Sequence, residues 1–355
     1  RSLMARRPPK KIEDVNKSAL YNDMFRDAGF VLSDAELNEN EATFYGTQVS
    51  YRDQDEAIER IGRVAASELP DTVKTYHIVD NRGGQPMVDT QVDAEAFIAA
   101  ARYESVDGDI KQTYIRTDPS QEVLDAYEPE NTKGLFYSAD FFFTQSFGNP
   151  EDFYLYQTGF LLGGGYAFDE KFSVRGSARV TLLDNFDKFN YLVDNEEVAL
   201  PRVRTRVREY VSENDVWLDT AILHYKDRLS ENLFGQAYAG YLETMFAGVG
   251  GEIMYREVDS NIAYGLDINY VKQRDPLKQM ALGDYDAITG HASVYWKPEF
   301  LDDTQITVSA GQFLAKDKGV NIDYAKRFDS GIIVGAFAAF TDVSSEEYGE
   351  GSFTK

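Results

Sequence analysis

The chain has 355 residues with 36 Lys or Arg and 60 Asp or Glu, so its formal net charge is −24. No segment approaches the 18 or more apolar residues of a transmembrane helix, which excludes a helical membrane protein, and the net acidity argues against a general nucleic-acid binder. The absence of cysteine excludes thiolate catalysis, cysteine-bound zinc and disulfide bonds. With 23 Tyr, 23 Phe and 27 Gly, the composition favours many strands and turns.

The first third of the chain mixes helical and strand periods. Residues 1–17 are basic and contain adjacent prolines, which predicts a linker from a missing upstream region. Residues 18–103 carry helix-capping residues at Ser18, Asp53 and Asp93, between segments that alternate like strands, and this predicts a small α+β domain. Residues 104–133 contain few large aliphatic side chains and many Asp, Glu, Pro and Thr, which predicts a second linker.

Residues 134–355 alternate apolar and polar side chains over segments of about ten residues, separated by Asn, Asp and Gly turns. The clearest segment places Ile262, Tyr264, Leu266, Ile268 and Tyr270 on one face, opposite Ala263, Gly265, Asp267 and Asn269. This pattern is typical of a soluble β-sandwich with its apolar face inside, or of an outer-membrane β-barrel with its apolar face toward lipid. Strand length and aromatic residues near the strand ends favour the barrel. We therefore predict a mainly β protein, with an antiparallel outer-membrane-type barrel of about twelve strands that is truncated at its C-terminal end.

Several short motifs occur in a fixed order along this region. They are Leu200-Pro-Arg-Val-Arg204, the glycine-rich segment Gly240–Tyr255, Gln273-Arg-Asp275, Thr289-Gly-His291, Gly311–Gly319 and Gly349-Glu-Gly-Ser-Phe353. Together they resemble the YjbH/GfcD family of bacterial exopolysaccharide and capsule proteins. The resemblance implies a Gram-negative outer-membrane barrel that acts with lipoprotein and periplasmic components of a secretion system. It also implies an additional barrel upstream in the same polypeptide.

An arginine series is the sharpest local pattern. Arg202, Arg204, Arg206 and Arg208 occupy alternate positions, which in an extended segment project on one side at about 6.6 Å spacing. Such forked donors suit the carboxylates, phosphates or sulfates of an acidic polysaccharide. The alternatives are pairing with Asp194, Glu196 or Glu197 across a hairpin, or contact with lipid phosphates.

A polar lumen stripe is also predicted, formed by Arg175, Arg179, Asp267, Asn269 and Asp323. Arg175 and Arg179 either extend the arginine series toward a glycan or pair across the pore with Asp267 or Asp323.

Other polar residues have less specific patterns. Glu243 and Glu252 are candidates for a glycosidase carboxylate pair, with interstrand hydrogen bonding as the alternative. His77, His224 and His291 lack the spacing of a metal site, so we expect no metal and no cofactor, and a structural hydrogen bond for His291.

The predicted function is therefore non-enzymatic: an outer-membrane barrel that assists export or assembly of an exopolysaccharide or capsule, with its α+β domain docking partners in the periplasm. The expected partners are an acidic polymer, outer-membrane lipid and lipopolysaccharide, and periplasmic and lipoprotein components of the secretion system. The alternatives are a polysaccharide-modifying enzyme of the outer membrane or periplasm, and a plugged scaffold that serves only assembly.

Overall fold

The computed structural model describes residues 3, 8–104, 108–127, 133–147, 154–188, 201, 203–204, 209–210, 214–328 and 330–343. The chain divides into two compact units. The first comprises Arg1–Thr132 with Glu257–Asp259, and the second comprises Lys133–Arg256 with Ser260–Lys355. Within the described ranges, no helix combines the length and the hydropathy that crossing a bilayer requires.

The first unit is built on a five-stranded sheet. Its elements are α1 (Lys17–Ala28), β1 (Phe30–Leu37), β2 (Glu41–Gln48), α2 (Gln54–Glu68), β3 (Thr75–Arg82), β4 (Gln85–Asp93), α3 (Ala94–Ala101), β5 (Tyr114–Thr117) and α4 (Gln121–Ala126), with short 3-10 helices at Ile12–Asp14 and Ile110–Thr113. The strands lie in the order β1-β2-β3-β4-β5. Only the β2–β3 pair is parallel, because α2 makes the crossover between these two strands.

Helix caps and one apolar core fix this unit. The Oδ1 atoms of Asp53 and Asp93 accept hydrogen bonds from the backbone N–H of Glu56 and Ala96, at 2.8 and 2.9 Å, and so start α2 and α3. The core between the helices and one face of the sheet contains Leu20, Met24, Phe44, Ile58, Ile61, Val64, Tyr76, Ile78, Val92 and Phe97. A smaller cluster on the other face joins Tyr45 to Val123 of α4, whose backbone oxygen accepts a 2.9 Å hydrogen bond from the tyrosine hydroxyl.

Both segments predicted as linkers contain ordered structure. In residues 104–133, β5 pairs with β4, and the Tyr114 hydroxyl donates a 2.5 Å hydrogen bond to Asp55. In residues 1–17, the side chain of Leu3 is 1% exposed within the core, and Arg102 donates to its backbone oxygen. Composition pointed to linkers because an edge strand of four residues needs few aliphatic side chains when its backbone is paired.

The second unit is an antiparallel sheet of eleven strands, each paired with its neighbours in sequence. The strands are β6 (Gly134–Phe147), β7 (Tyr154–Ala167), β8 (Phe172–Asp184), β9 (Val216–Ser230), β10 (Leu233–Tyr241), β11 (Phe246–Arg256), β12 (Ile262–Arg274), β13 (Leu282–Trp296), β14 (Thr304–Gln312), β15 (Lys318–Arg327) and β16 (Ile333–Thr341). About twelve strands were predicted. Among the described residues β6 and β16 are the two edges of an open sheet, with no pairing between them.

The two faces of this sheet have opposite character, and the apolar one is exposed. In β12 the exposed side chains are Tyr264 at 52%, Leu266 at 54%, Ile268 at 65% and Tyr270 at 48%. Their neighbours Asp267 and Asn269 are half-buried, and Gln273 is 8% exposed. We call the side of the sheet that carries Leu266 and Ile268 the apolar face, and the side that carries Asp267 and Asn269 the polar face. A soluble sandwich would bury the apolar face, so the observed exposure is the reverse of that alternative.

Candidate functional site on the polar face

A row of polar side chains crosses the middle of the polar face. Gln236, Glu252, Asp267 and His291 occupy directly paired positions on β10, β11, β12 and β13, so all four project on the same side. Gln236 Nε2 donates a 2.6 Å hydrogen bond to Glu252 Oε2, and His291 Nδ1 lies 3.2 Å from Asp267 Oδ1. His224 continues the network from β9, with its Nε2 2.9 Å from Gln236 Oε1. The predicted lumen residue Asp267 therefore lies within a hydrogen-bonded row, which we call the central polar row.

A second polar contact crosses the same strands one step along the sheet. The Tyr238 hydroxyl of β10 donates a 2.6 Å hydrogen bond to Asn269 Oδ1 of β12, over Gly250 of the strand between them. A β-carbon on Gly250 would lie 2.0 Å from Asn269 Oδ1, so the absence of a side chain there permits the contact. Asn269 Nδ2 also donates to Asp267 Oδ2 at 3.0 Å, which joins this contact to the central polar row.

At one end of the polar face a buried guanidinium orders the connection between β10 and β11. Arg274 is 0% exposed, and its Nη1 donates hydrogen bonds to the backbone oxygens of Asp219, Glu243 and Thr244 at 3.0–3.2 Å. Its guanidinium carbon lies 4.8 Å from the ring centre of Trp217 and 4.5 Å from that of Tyr241. Since Trp217 belongs to β9 and Arg274 to β12, this contact spans β10 and β11 at one end of the sheet.

A second arginine reinforces the same end. Arg179 Nη2 donates to both carboxylate oxygens of Asp219, at 2.9 and 3.0 Å, and Thr244 Oγ1 donates to Asp219 Oδ1 at 2.8 Å. The described part of the connection between β8 and β9 packs here too, since Tyr210 is 1% exposed and its hydroxyl donates to the Arg274 backbone oxygen. We call this group of Arg179, Tyr210, Trp217, Asp219 and Arg274 the inward cap, because it covers one end of the polar face.

The predicted arginine series is described only at Arg204. The Nη1 atom of Arg204 donates to both carboxylate oxygens of Glu243, at 2.6 and 2.7 Å, so it makes an internal ion pair. Its partner is in the connection between β10 and β11, and the predicted hairpin partners Asp194, Glu196 and Glu197 lie outside the described residues. Arg202, Arg206 and Arg208 also lie outside them.

The other predicted lumen residues share a face but not a contact. Arg179 pairs with Asp219 rather than with Asp267 or Asp323, which were the partners in one of its two predicted alternatives, because the β8–β9 register brings Arg179 to Trp217 and its neighbours. Arg175 is exposed on the polar face and forms no ion pair with a described residue. Asp323 lies on β15, directly paired with Thr307 and Phe337.

The two glutamates of the glycosidase alternative are not brought together. The backbone N–H of Glu243 bonds the oxygen of Phe246, and Glu252 follows six residues later on the same strand, which is about 20 Å at 3.3 Å per residue. A glycosidase pair requires about 5–10 Å. Among the described residues no group of three or more His, Asp or Glu has the arrangement of a metal site.

Sequence reasoning missed Arg274, Trp217, Asp219 and Tyr238 as contributors to the polar face. Arg274 belongs to the motif Gln273-Arg-Asp275 and is the last residue of an alternating strand. Trp217 is one of only 2 tryptophans. Both facts single these residues out, but their contact joins residues 57 positions apart in the chain (274 − 217), which no local pattern reveals.

In the first unit, His77 and Asp89 form a largely buried titratable pair. His77 Nδ1 lies 2.9 Å from Asp89 Oδ2, and the two side chains are 15% and 1% exposed. The hydrogen bond to Asp89 raises the pKa of His77 above its ordinary value, with smaller contributions from the negative charges of Glu41 and Glu122 and an opposing contribution from burial.

Comparison with known proteins gives one family. A family model described as exopolysaccharide biosynthesis protein YbjH, of the YjbH family, matches residues 2–355. The chain is 41% identical over 331 residues to a protein of Escherichia coli strain K12 that is named uncharacterized lipoprotein YjbH. The aligned part is 91% of this chain but 47% of the relative, so the chain spans about half the relative's length. The resemblance read from the motifs is confirmed.

Proposed function

The chain belongs to the YjbH family of exopolysaccharide biosynthesis proteins, and we propose that its eleven-stranded sheet is the wall of an outer-membrane β-barrel that assists export or assembly of an exopolysaccharide. The observation that carries the proposal is the reversed character of the two faces, which is clearest in β12 and β15: there the apolar side chains are exposed and the polar ones between them are half-buried.

Lipid explains this reversal better than water does. Soluble monomers rarely expose a continuous apolar patch larger than a few hundred Å². Here exposed Ile, Leu, Val and aromatic side chains recur on the apolar face from β7 to β16. In a bilayer the same face is solvated by acyl chains, and the polar face lines a lumen.

A barrel in lipid also needs closed edges. Unpaired N–H and C=O groups cost several kcal/mol each in hydrocarbon, and bacterial barrels formed by one chain have an even strand number. One strand in addition to the eleven described ones, paired with β6 and β16, would satisfy both conditions. The name of the Escherichia coli relative, a lipoprotein, supports a location in the cell envelope.

The connections support an orientation. The turns 168–171 and 231–232 are short and lie at one end of the sheet, and the connection of residues 185–215 lies at the other end. Short turns are periplasmic in bacterial barrels, and long loops are extracellular. Because β6 begins at the end with the short turns, the preceding five-stranded unit belongs in the periplasm, where it would dock other components of the secretion system.

In this proposal the chain performs no bond chemistry. Side chains of the polar face make weak, repeated contacts with a polymer and so allow it to move without being trapped. A second candidate, a plugged scaffold that conducts nothing, is favoured by the inward cap, because Arg274 and Tyr210 hold chain segments across one end of the polar face.

The test is fractionation of the full-length protein combined with gel mobility before and after heating. Recovery in the outer membrane with a heat-dependent mobility shift supports the barrel, and a soluble periplasmic protein without the shift contradicts it. Conductance in planar bilayers then separates the two candidates: single-channel openings support a passage, and a silent but heat-modifiable barrel supports the plugged scaffold.

A further inference from the structure

We infer that the polar face holds a contact site for an amine-bearing glycan, formed by Tyr238, Tyr295, Glu252 and Asp267. This inference rests on the proposed function and specifies the charge of the glycan. It differs from the acidic polymer predicted from the arginine series.

Two tyrosines flank the carboxylates, and each lies over a glycine. A β-carbon on Gly250 would be 2.7 Å from Tyr238 Cε2, and one on Gly265 would be 3.1 Å from Tyr295 Cε2. Both rings therefore lie close against the sheet on its polar face. Aromatic rings held in this way by glycine and strand backbone offer the C–H groups of a sugar an apolar surface beside polar groups.

The polar groups between the rings are acceptors for hydroxyl or ammonium groups. Glu252 and Asp267 are directly paired across β11 and β12, and both interact electrostatically with the Tyr238 and Tyr295 hydroxyls. His291 adds a further polar atom, because its Nε2 is buried without a hydrogen-bond partner in the described part of the chain. The site thus combines the carboxylate, amide and imidazole groups of the central polar row with an aromatic ring on either side of that row.

The charge of the site favours a cation. No Lys or Arg of the described residues forms an ion pair with Glu252 or Asp267, and the one basic group paired with either carboxylate among them is the His291 imidazole, which is a cation only when protonated. Of the polar-face cations, Arg175 lies on β8, and Lys226 of β9 is directly paired with Gln236, so Gln236 lies between Lys226 and Glu252. Arg179 and Arg204, predicted to contact an acidic glycan, are each paired with a carboxylate of this chain. An ammonium group would supply the missing countercharge, whereas a uronic acid would be repelled.

The experiment measures binding of three oligosaccharides of equal length to the purified, heat-modifiable full-length protein at low ionic strength. The probes are oligomers of glucosamine, N-acetylglucosamine and galacturonic acid, which are cationic, neutral and anionic. We expect the glucosamine oligomer to bind tightest, and Asp267→Asn to weaken its binding about tenfold, because one charge-assisted contact is lost. Tyr295→Leu should weaken both the cationic and the neutral oligomer.

The charge-matched control is Asp259→Asn in the turn between β11 and β12, which should leave all three affinities unchanged. Four results would each overturn the inference. Three concern the wild-type protein: the galacturonic acid oligomer binds tightest, the glucosamine and N-acetylglucosamine oligomers bind equally, or no oligomer binds. The fourth is that Asp267→Asn has no effect. The protein tested is already heat-modifiable, so such a result would not contradict the proposed barrel. The proposed function itself is contradicted only if the protein fails to reach the outer membrane.

Discussion

A charged side chain introduced on the apolar face tests whether that face contacts lipid or water. Ile268 lies in the middle of β12 and is 65% exposed, between the exposed side chains Leu266 and Tyr270. In a bilayer, Ile268→Arg at this depth costs about 2–4 kcal/mol, because the guanidinium must be taken into hydrocarbon. On a water-exposed sheet the same change stays within about 0.5 kcal/mol.

Depth and face provide two matched controls. Ile262→Arg, at the end of the same strand, should cost about 0–1 kcal/mol, because an arginine near the interface reaches water. Thr307→Arg introduces the same side chain on the polar face of β14, directly opposite Asp323, and should be tolerated. Only a membrane barrel predicts that Ile268→Arg costs more folding free energy than both Ile262→Arg and Thr307→Arg.

The assay is reversible folding of the full-length protein into lipid vesicles at increasing urea concentration, with the heat-modifiable fraction as the readout. A cost of 2 kcal/mol or more lowers the folding equilibrium constant about 30-fold or more. If the three variants agree within about 0.5 kcal/mol, the apolar face does not contact lipid and the reasoning from exposure is refuted.

Three further predictions concern individual contacts. Arg274→Met should destabilise the folded sheet by about 3 kcal/mol or more in the same vesicle assay, because four backbone oxygens lose a charged donor and two rings lose a cation. Gly250→Ala should cost about 1–3 kcal/mol, since the new methyl group displaces Asn269 from the Tyr238 hydroxyl, as measured by the same urea titration. For the first unit, hydrogen exchange of β3 and β4 in the full-length protein should show the highest stability below about pH 6.5, the ordinary pKa of histidine. That stability should be lost as the pH rises through the raised pKa of His77, because only the protonated ring pairs with Asp89 as a cation, and His77→Gln should remove this pH dependence.

Each of these changes has a control in the chain. Arg204→Met removes an arginine whose ion pair is mostly exposed and should cost no more than about 1 kcal/mol, so equal losses at Arg204 and Arg274 would contradict the role of the inward cap. Gly251→Ala, one residue from Gly250 and on the opposite face, meets only the Gln236 backbone oxygen at 3.2 Å and should be milder. A stability of β3 and β4 that stays constant from pH 5.5 to 8, after correction for intrinsic exchange rates, would contradict the His77–Asp89 interaction.

Local periodicity predicted the strands of the second unit well where alternation was strict. In β12 the alternation at Leu266, Asp267, Ile268 and Asn269 predicted both the strand and the two faces. This was possible because a shift of the strand register by one residue would move every side chain to the other face of the sheet. A strict alternation therefore defines which side chains lie on the same face.

The contacts of the polar face were not predictable in the same way. Arg179 meets Asp219 because of the register between β8 and β9, which shifts between Ser177 and Ala178. Such a shift depends on backbone pairing across a long connection, and the sequence of either strand does not encode it separately. The inward cap was missed for the same reason, since Arg274 of β12 meets Trp217 of β9 across the two strands between them.

The central claim is that β12 has lipid on one face and water on the other. These 355 residues contain no cysteine, so single cysteines introduced at positions 266 to 270 are their only sites for a nitroxide label. Power-saturation electron paramagnetic resonance of the vesicle-folded protein then compares collision with oxygen, which concentrates in lipid, and with a water-soluble nickel complex. We predict alternation with a period of two: oxygen contact at Leu266, Ile268 and Tyr270, and nickel contact at Asp267 and Asn269. High nickel contact at all five positions would contradict the barrel.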